Sequence, residues 1–359
     1  MKTLLDLPAL ANLRVLVRAD FDVPVAEDGA IEESFRIDRQ RALIEQLVDG
    51  GARVALVAHI GAVPSFEPLL GQLSQLVGRP LVFCRTLDEL AAFWGGTDPI
   101  AVLENVRQFD GEIINDDTFA ASLARECDVY INNAFAVCHR AHASVDAITR
   151  HVTSYAGPVI VDEVERLGRV LTTPAKGKVI IMGGAKTSTK IPVIKNLLSC
   201  AEHLVVGGVV ANGLLKERGI DIGASRVDDD THVSVEGLNL NDARLVYPID
   251  FEIDNGMYMD VGPQSARQCA QLIASASCVV WNGPFGKFEQ ERFMAGTETI
   301  ARAIAESSAE SIIGGGDTIA AVHQLGILDS FSFVSTGGGA MLAFLSGQIL
   351  PGLAALERK

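Results

Sequence analysis

Short apolar runs recur along the whole chain and alternate with segments whose apolar residues have helical spacing. The runs are rich in β-branched residues and contain no alternating polar positions, a pattern typical of parallel strands covered on both faces. They include residues 14–17, 53–57, 100–103, 129–131, 179–182, 204–206, 278–280 and 311–313. The segments between them predict helices, among them 37–49, 117–126, 190–199 and 298–306. This alternation predicts an α/β protein with parallel sheets.

The residues that follow the predicted strands differ between the two halves of the chain. In the first half the strands run into charged and amide side chains, which are Arg18, Asp20, His59, Glu104, Asn105, Arg107, Asn132 and Asn133. In the second half they run into glycine, at 183–184, 207–208, 283, 314–316 and 337–339. Ligands of doubly wound sheets bind at the carboxyl ends of the strands. The difference therefore predicts two domains with two different ligands.

The boundary between the domains is predicted at residues 158–171, whose amphipathic pattern indicates a helix. Thr172, Thr173 and Pro174 follow as a plausible stop. We therefore expect a first domain over 1–157 and a second over 172–340. A length of 359 residues agrees with this division, because domains average roughly 150 residues.

Composition and charge exclude several classes of protein. Hydrophobic residues make up 48% and charged residues 21%, which excludes general disorder. The formal net charge of −15 argues against a nucleic-acid or anionic-membrane binder. No segment reaches the ~20 apolar residues of a membrane span, and Asp6, Asn12 and Arg14 interrupt the N-terminal apolar run. We expect a cytoplasmic protein with reduced cysteines that binds neither nucleic acid nor membrane.

Residues 183–190, GGAKTSTK, form a glycine-rich turn between a predicted strand and a predicted helix. Such a turn binds phosphate, because glycine permits close approach and the N–H groups of the helix start point at the anion. The segment is not a P-loop, since Ala185 precedes Lys186. Lys186 and Lys190 have the spacing of one helix face, which favours an anion between them over a solvated basic edge.

Residues 314–318, GGGDT, form a second glycine-rich turn and carry Asp317. A carboxylate beside bound phosphates is what a Mg²⁺-nucleotide site requires, although Asp317 could equally cap a helix. The first half supplies cations instead, namely Arg18, Arg36, His59, Arg107 and Arg140. Arginine binds carboxylate and phosphate in a bidentate manner. Each one alone is usually a surface ion pair, but the cluster predicts an anionic substrate that carries both groups.

These segments occur in the order of a known family, and from Val15 to Leu353 the chain resembles phosphoglycerate kinase. The segments that carry the resemblance are VRADFDVP (17–24), FRI (35–37), AHIG (58–61), LENVR (103–107), NNAFAVCHRAHAS (132–144), GGAKTSTKI (183–191), WNGPFGKFE (281–289), GGGDT (314–318) and STGGGA (335–340). The resemblance implies two Rossmann-like, doubly wound parallel-sheet domains joined by the hinge helix 158–171, with a cleft between them. It also implies that residues 341–359 return to complete the first domain.

The resemblance further implies a monomeric enzyme that transfers a phosphoryl group reversibly between 1,3-bisphosphoglycerate and ADP, giving 3-phosphoglycerate and ATP, with Mg²⁺ bound alongside the nucleotide. The acid-substrate site would consist of Asp20, Asp22, Arg36, His59, Gly61, Arg107 and Arg140. The nucleotide site would consist of Gly184, Lys186, Lys190, Glu289, Gly315, Gly316, Asp317 and Thr318. Among these, Arg36, Lys186 and Lys190 would be catalytic. Glu289 would bind the ribose and Asp317 the Mg²⁺ ion.

Several residues depart from the family pattern. These are Asp22 for Asn, Ala62 for Arg, Asn133 for Asp, Ala136 for Gly, Thr189 for Asp, Val209 for Gly, Phe333 for His, and Tyr258 near a glycine of the adenine pocket. They leave two alternatives open: a non-catalytic relative that binds nucleotide or a protein partner, and a kinase for another small carboxylic acid. The loss of arginine at Ala62 predicts weak 3-phosphoglycerate binding, unless Arg39 or Arg41 fills the space.

Overall fold

The structure is a computed structural model that describes residues 1–229 and 231–358. The chain divides into two compact units, Met1–Glu165 with the C-terminal segment from Ile349, and Arg166–Gln348. The division falls inside a helix at Pro158–Thr172, where the sequence predicts the boundary helix. The C-terminal segment joins the first unit only from Ile349, later than the predicted residue 341. The reason is that a helix at Gly338–Leu345 packs on a helix at Thr187–Leu197 of the second unit.

The first unit is built around a parallel sheet. Its strands are β1 (Arg14–Arg18), β2 (Arg53–Val57), β3 (Val82–Cys84), β4 (Ile100–Leu103), β5 (Val129–Asn132) and β6 (Ser154–Ala156). Its helices are α1 (Phe35–Asp49), α2 (Leu70–Val77), α3 (Leu87–Phe93), α4 (Asp110–Ile113), α5 (Asp117–Ala124) and, shared with the second unit, α6 (Pro158–Thr172). Within the described residues the sheet has the strand order β3–β4–β2–β1–β5–β6.

Strand β1 shows why this sheet is covered on both faces. Val15 and Val17 belong to one apolar core, whereas Leu16 belongs to another on the opposite face. All three side chains are fully buried. Successive side chains of a strand point to opposite faces, so a strand between two apolar layers must be apolar throughout. This accounts for the unbroken apolar runs in the sequence.

The second unit has a similar arrangement, formed by a later part of the same chain. Its strands are β7 (Lys178–Met182), β8 (His203–Val206), β9 (Leu245–Val246), β10 (Phe251–Asp254), β11 (Met257–Val261), β12 (Cys278–Asn282), β13 (Glu310–Gly314) and β14 (Phe333–Val334). Its helices are α7 (Thr187–Leu197), α8 (Gly208–Glu217), α9 (Thr231–Ser234), α10 (Pro263–Ala274), α11 (Ala295–Glu306), α12 (Gly316–Gln324) and α13 (Gly338–Leu345). The last helix of the chain, α14 (Pro351–Leu356), belongs to the first unit.

In both sheets the strand order reverses at one point. The described strands of the second sheet follow the order β14–β13–β12–β7–β8–β9 and are parallel, while β10 and β11 form a separate antiparallel hairpin. The reversal lies between β1 and β5 in the first unit and between β7 and β12 in the second. Ligands of doubly wound sheets bind at these reversals. The predicted α/β class with two parallel sheets is confirmed. Within the described part of the chain, no helix is both long and apolar enough to cross a membrane.

A buried lysine joins β7 to the end of α6. Lys178 is 1% exposed. Its Nζ donates to the carbonyls of Val170 at 2.5 Å and Thr173 at 2.9 Å. The last carbonyls of a helix have no partner within the helix, and a cation also interacts favourably with the helix dipole there. Lys178 therefore supplies hydrogen-bond donors to carbonyl groups at the C-terminal end of α6.

We expect Lys178→Met to lower the free energy of unfolding of the second unit by about 2 kcal/mol, because it leaves two buried carbonyls without a charged donor. Urea unfolding in a Trp94→Phe background would measure this, since the remaining tryptophan, Trp281, lies in β12 of the second unit. Lys176→Met is the control, because Lys176 is exposed and its replacement should change stability by less than about 0.5 kcal/mol. Equal effects of the two substitutions would contradict the proposed contact.

Candidate functional site

In the first unit, the side chain that ends β1 organises the strand ends around it. Arg18 is 1% exposed. Its Nε donates to the Ser144 hydroxyl at 2.9 Å, and one terminal nitrogen lies 3.2 Å from Nδ1 of His59. The Ser144 hydroxyl in turn donates to Glu112 at 2.7 Å. Arg18 thus connects β1, the end of β2 and the 135–150 segment through hydrogen bonds.

These contacts determine which nitrogen of His59 carries the proton. Arginine has only donors, so Nδ1 of His59 must accept from Arg18. The proton of the neutral ring therefore lies on Nε2, which is 3.5 Å from Oδ2 of Asp22. Burial, together with the charge of Arg18, lowers the pKa of His59 to about 4. At neutral pH His59 is accordingly a neutral donor.

Asp22 is the centre of a second group of contacts. Its Oδ1 accepts the backbone N–H of Gly61 at 2.7 Å. Burial raises the pKa of Asp22, but the contacts with His59, the Gly61 N–H and Arg36 outweigh it and keep that pKa well below its usual value. The Arg36 guanidinium donates to the Asp22 carbonyl at 3.0 Å and lies 3.7 Å from Oδ1 of the buried Asp20. The carboxylate of Asp22 is thus ionised and partly neutralised within the site.

The charge of Arg140, after β5, acts on two nearby side chains, Arg107 after β4 and His142 after β5. Burial lowers the pKa of Arg107, and the nearby charge of Arg140 lowers it further. Burial and then the charge of Arg140 lower the pKa of His142 to about 4. Mutual repulsion of this kind is relieved when an anion binds. The cluster therefore favours an anionic ligand, as the sequence predicts for Arg107 and Arg140.

The short loop after β2 has no arginine, and neither proposed substitute fills its place. Ala62 is exposed in this loop. Arg39 donates to Asp162 at 3.0 Å, and Arg41 donates to Glu45 at 2.9 Å along α1. Both guanidinium groups are therefore engaged elsewhere. These contacts weigh against the interpretation that Arg39 or Arg41 replaces the missing cation.

Asn133, another departure from the family pattern, is completely buried. Its Nδ2 donates to Gln40 at 2.8 Å, and its Oδ1 accepts the backbone N–H of Val159 at 2.9 Å. The Gln40 amide donates in turn to the carbonyl of Arg36 at 3.1 Å. Asn133 therefore links β5 and α6 to the turn of α1 that carries Arg36. An asparagine suits this position because it supplies both a donor and an acceptor.

In the second unit, glycine turns after β7 and β12 surround the ammonium group of Lys190. Lys190 is 6% exposed, and its Nζ donates to the carbonyl of Gly183. A Cβ added at Gly184 or at Gly283 would lie 2.6 or 2.5 Å from that Nζ. Both residues have positive φ angles, +79° and +94°, which favour glycine. Burial lowers the pKa of Lys190 to about 8, although the charge of Asp317 opposes this.

The prediction that Lys186 and Lys190 share a helix face is wrong. The helix α7 begins at Thr187, and Lys186 precedes it with an extended backbone and an exposed side chain. The Thr187 N–H donates to the carboxylate of Asp228 at 2.6 Å, which satisfies the first turn of the helix. Lys186 is still close enough to Lys190 for its charge to lower the pKa of Lys190.

The turn after β13 is joined to the glycine turn after β12. The buried hydroxyl of Thr318 accepts the N–H of Gly283 at 2.6 Å, and Asn282 donates to the carbonyl of Gly314 at 2.8 Å. Gly315 has φ +100°, which favours glycine at the start of α12. Gly316 and Asp317 are exposed in the first turn of this helix. Free N–H groups and a carboxylate therefore lie at one helix start.

A cavity of about 330 Å³ lies beside these turns. Three predicted nucleotide-site residues line it, namely Gly184, Glu289 and Asp317. The departures Val209 and Tyr258 also line it. Among the described residues, no group of three or more histidine, cysteine or carboxylate side chains is placed to hold a metal ion. A single carboxylate is compatible with a Mg²⁺ ion whose other ligands are phosphate oxygens and water.

The sequence analysis missed several residues that position the site. These are Gln40, Glu112 and Ser144 in the first unit and Asp228 in the second. Ser144 lies at the end of the segment 132–144 that carries the resemblance but was given no role there, whereas Gln40, Glu112 and Asp228 belong to none of the quoted segments. One signal could have indicated that Glu112 is buried. It lies close to the apolar residues Phe109 and Ile113. No comparable signal marks Asp228.

The chain is similar along nearly its whole length to known proteins. A family model described as phosphoglycerate kinase matches residues 4–348. Phosphoglycerate kinase of Desulfosudis oleivorans is 38% identical over 386 residues, covering 97% of each chain. Phosphoglycerate kinase of Moorella thermoacetica is 39% identical over 391 residues, covering 99% of each chain.

Solved structures of phosphoglycerate kinases are also similar to this chain. The phosphoglycerate kinase structure from Coxiella burnetii matches with a TM-score of 0.84 and 34% identity, covering 99% of this chain and 98% of that one. The Pyrococcus horikoshii phosphoglycerate kinase structure matches with a TM-score of 0.89 and 29% identity, with the same coverage. The similarity therefore includes both α/β units.

The low pKa of His59 predicts how stability depends on pH. In the unfolded chain His59 takes up a proton near pH 6.5, whereas in the folded chain it does so near pH 4. Stability due to neutral His59 is therefore present above pH 6.5 and is lost as the pH falls towards 4. We expect His59→Gln to reduce the acid-induced loss by about 3 kcal/mol, measured by urea unfolding at several pH values. The exposed His232 provides the control variant, His232→Gln. An unchanged pH profile in His59→Gln would show that His59 is not held neutral.

Proposed function

Because this chain belongs to the phosphoglycerate kinase family, we propose that its two sites carry out the family's reaction with the residues described above. The reaction is the reversible transfer of a phosphoryl group from 1,3-bisphosphoglycerate to ADP, giving 3-phosphoglycerate and ATP in glycolysis. This is the function predicted from the sequence, and the full-length relatives confirm it. The observation that carries the assignment of residues is the buried Lys190 ammonium between two glycine turns.

We assign the acid substrate to the first unit. Arg107 and Arg140 repel each other and would bind the phosphate or carboxylate of the substrate. Nε2 of neutral His59 lies 3.5 Å from Oδ2 of Asp22, and the Gly61 N–H donates to Asp22 in the same site. Arg36 is oriented by Asp20 and Asp22, and it would contact the transferring phosphoryl group. These groups bind and orient the anion before reaction.

We assign the nucleotide to the second unit. The N–H groups at Gly315 and Gly316 begin α12, and a helix start attracts phosphate. Glu289 would bind the ribose hydroxyls, and Asp317 would hold the Mg²⁺ ion that accompanies the nucleotide. When bound, Mg²⁺ neutralises part of the phosphate charge. Lys186 is exposed near the same turns and would add a second cation.

Lys190 is suited to the transfer step itself. Phosphoryl transfer requires mainly positioning and neutralisation of the charge on the transferring group. The Lys190 ammonium remains mostly protonated near pH 7, because its pKa is about 8. Its N–H donor is already oriented by the Gly183 carbonyl. A preorganised donor of this kind stabilises charge without reorganisation during the reaction.

Hinge bending, a monomeric state and a cytoplasmic location are further parts of the proposal. Each unit carries one of the two substrates, so the reaction requires the two units to bring their ligands together and to exclude water. The acidic net charge of −15 agrees with a protein that does not bind nucleic acid or anionic membranes. A coupled assay with 3-phosphoglycerate and ATP tests the activity. No turnover above background would favour a non-catalytic relative that binds nucleotide or a protein partner. Turnover with a different carboxylic acid alone would favour a kinase for that acid.

We expect Lys190→Ala to lower kcat by ~10²- to 10³-fold, which is the scale for one electrostatic group acting in the transition state. The KM for ATP should change much less, because the interaction strengthens during the transfer. Steady-state kinetics with 3-phosphoglycerate and ATP would measure both values. Lys195→Ala is the matched control on the same helix, since Lys195 is exposed and donates to the carbonyl of Glu236. Near-normal turnover of Lys190→Ala would show that the catalytic lysine is misassigned.

Ala62 leads to a prediction about substrate affinity. A missing arginine removes a charge-assisted contact, which weakens binding by roughly 10- to 100-fold. We therefore expect a high KM for 3-phosphoglycerate and a partial recovery of affinity in Ala62→Arg. The KM for ATP should not change, and it serves as an internal control. If the KM of the wild type is already low and Ala62→Arg leaves it unchanged, other groups bind the substrate in place of that arginine.

A further inference from the structure

The first unit contains a second cationic site, a cavity of about 310 Å³ beside the last helix, α14. The 149–154 segment, the start of the chain and α14 form its walls. Ser154, which begins β6, lines it, whereas the predicted substrate residues follow the carboxyl ends of the strands. Within the described part of the chain, none of the predicted acid-substrate residues lines this cavity. The cavity is therefore distinct from the proposed acid site.

The charged residues that line this cavity are all basic. They are Lys2, Arg150, His151 and Arg358, and no aspartate or glutamate among the described residues lines it. The chain as a whole has a formal net charge of −15, so a wall with only basic groups is unusual for this protein. Like charges around one cavity repel each other, and a bound anion relieves that repulsion.

A buried carboxylate holds the two arginines of this wall in place. Asp146 is 5% exposed. It accepts from Arg358 at 2.7 Å and from Arg150 at 3.0 Å, one guanidinium on each carboxylate oxygen. Arg150 also pairs with Asp117 at 3.0 Å, but that carboxylate is mostly exposed. A guanidinium has five N–H donors, so both arginines keep donors for a ligand in positions that are already fixed.

Lys2 adds a third cation, which has no counter-ion. Its side chain is exposed, and its ammonium forms no ion pair with any residue of 1–229 or 231–358. The ammonium lies 5.8 Å from the centroid of the Tyr155 ring. The backbone of Lys2 is held on β6, because its carbonyl accepts the Ala156 N–H at 2.8 Å. The cavity therefore has one more fixed cation than Asp146 and Asp117 neutralise.

We propose that this cavity binds a small phosphorylated molecule, whose phosphate group contacts Lys2, Arg150 and Arg358. A phosphate offers several acceptor oxygens, and arginine binds it in a bidentate manner. The volume of about 310 Å³ is that of a small-molecule site and leaves room beyond the phosphate itself. Ala355 and Leu356 line the cavity and supply apolar contacts for the rest of the ligand. The inference is independent of the proposed function, because it uses none of the residues assigned to catalysis.

The test titrates the full chain with inorganic phosphate and, separately, with glycerol phosphate, at a constant ionic strength maintained with NaCl. Amide signals in ¹H–¹⁵N spectra report each site separately. We expect saturable shifts at 149–154 and 355–358, with a Kd different from that of any shifts at 140–144 in the proposed acid site. A lower Kd for glycerol phosphate would identify an organic phosphate as the ligand, and a lower Kd for inorganic phosphate would identify the free ion.

Variants of Lys2 test the contact directly. Lys2→Met should raise the Kd measured at 149–154 by about fivefold, the upper end for a solvent-exposed ion pair. Lys2→Arg keeps the charge and should leave the Kd within about twofold. Arg125→Met is the matched control, because Arg125 is an exposed arginine of the same unit that pairs with Asp88 outside the cavity. It should leave this Kd unchanged.

Three results would overturn the inference. The first is the absence of saturable shifts at 149–154 and 355–358 with both probes. The second is an equal response to NaCl alone, which would indicate an adventitious ion only. The third is an equal change of Kd in Lys2→Met and Arg125→Met, which would indicate a general effect of net charge. None of these results bears on turnover with 3-phosphoglycerate and ATP, so the proposed function is tested separately.

Discussion

The second unit depends on the burial of one ammonium group between two backbone turns. Lys190 can lie there only because Gly184 and Gly283 have no Cβ and adopt positive φ angles. These turns follow β7 and β12, the two strands between which the strand order reverses. The parallel pairing of β7 with β12 therefore brings together the turns that surround Lys190. The hydrogen bond from Gly283 to Thr318 then connects this arrangement to the start of α12.

The first unit also holds a buried cation, but two of its partners are side chains rather than the carbonyls of glycine turns. Arg18 is buried, and it contacts Ser144 on one side and His59 on the other. His59 then faces Asp22, which accepts the N–H of Gly61. Because buried polar groups are costly unless they are paired, removing one member of this series leaves its neighbours unsatisfied. The result is a hydrogen-bonded set of strand ends beside the cations Arg107 and Arg140, whose charges repel each other.

The central parts of both sheets could be predicted from the sequence, whereas edges and partners could not. Strands such as β1 and β7 are buried on both faces, so their apolar runs are unbroken. The edge strands β9 and β14 span only two residues each, too few for a pattern. The helical spacing of Lys186 and Lys190 was misleading, because the carboxylate of Asp228 determines where α7 begins and no sequence pattern indicates that contact. The motif residues are local, but the groups that orient them are distant in the chain.

The departures from the family pattern separate into two kinds. Asn133 and Asp22 have partners matched to them: Asn133 donates to Gln40, and Asp22 accepts from Gly61 beside Arg36. These two residues therefore have hydrogen-bond partners within the first unit. Ala62 and Val209 instead stand where the family pattern has arginine and glycine, in the exposed loop after β2 and in the lining of the second-unit cavity. With the residue roles proposed above, differences in activity from other members should arise in substrate affinity and base preference rather than in the transfer step.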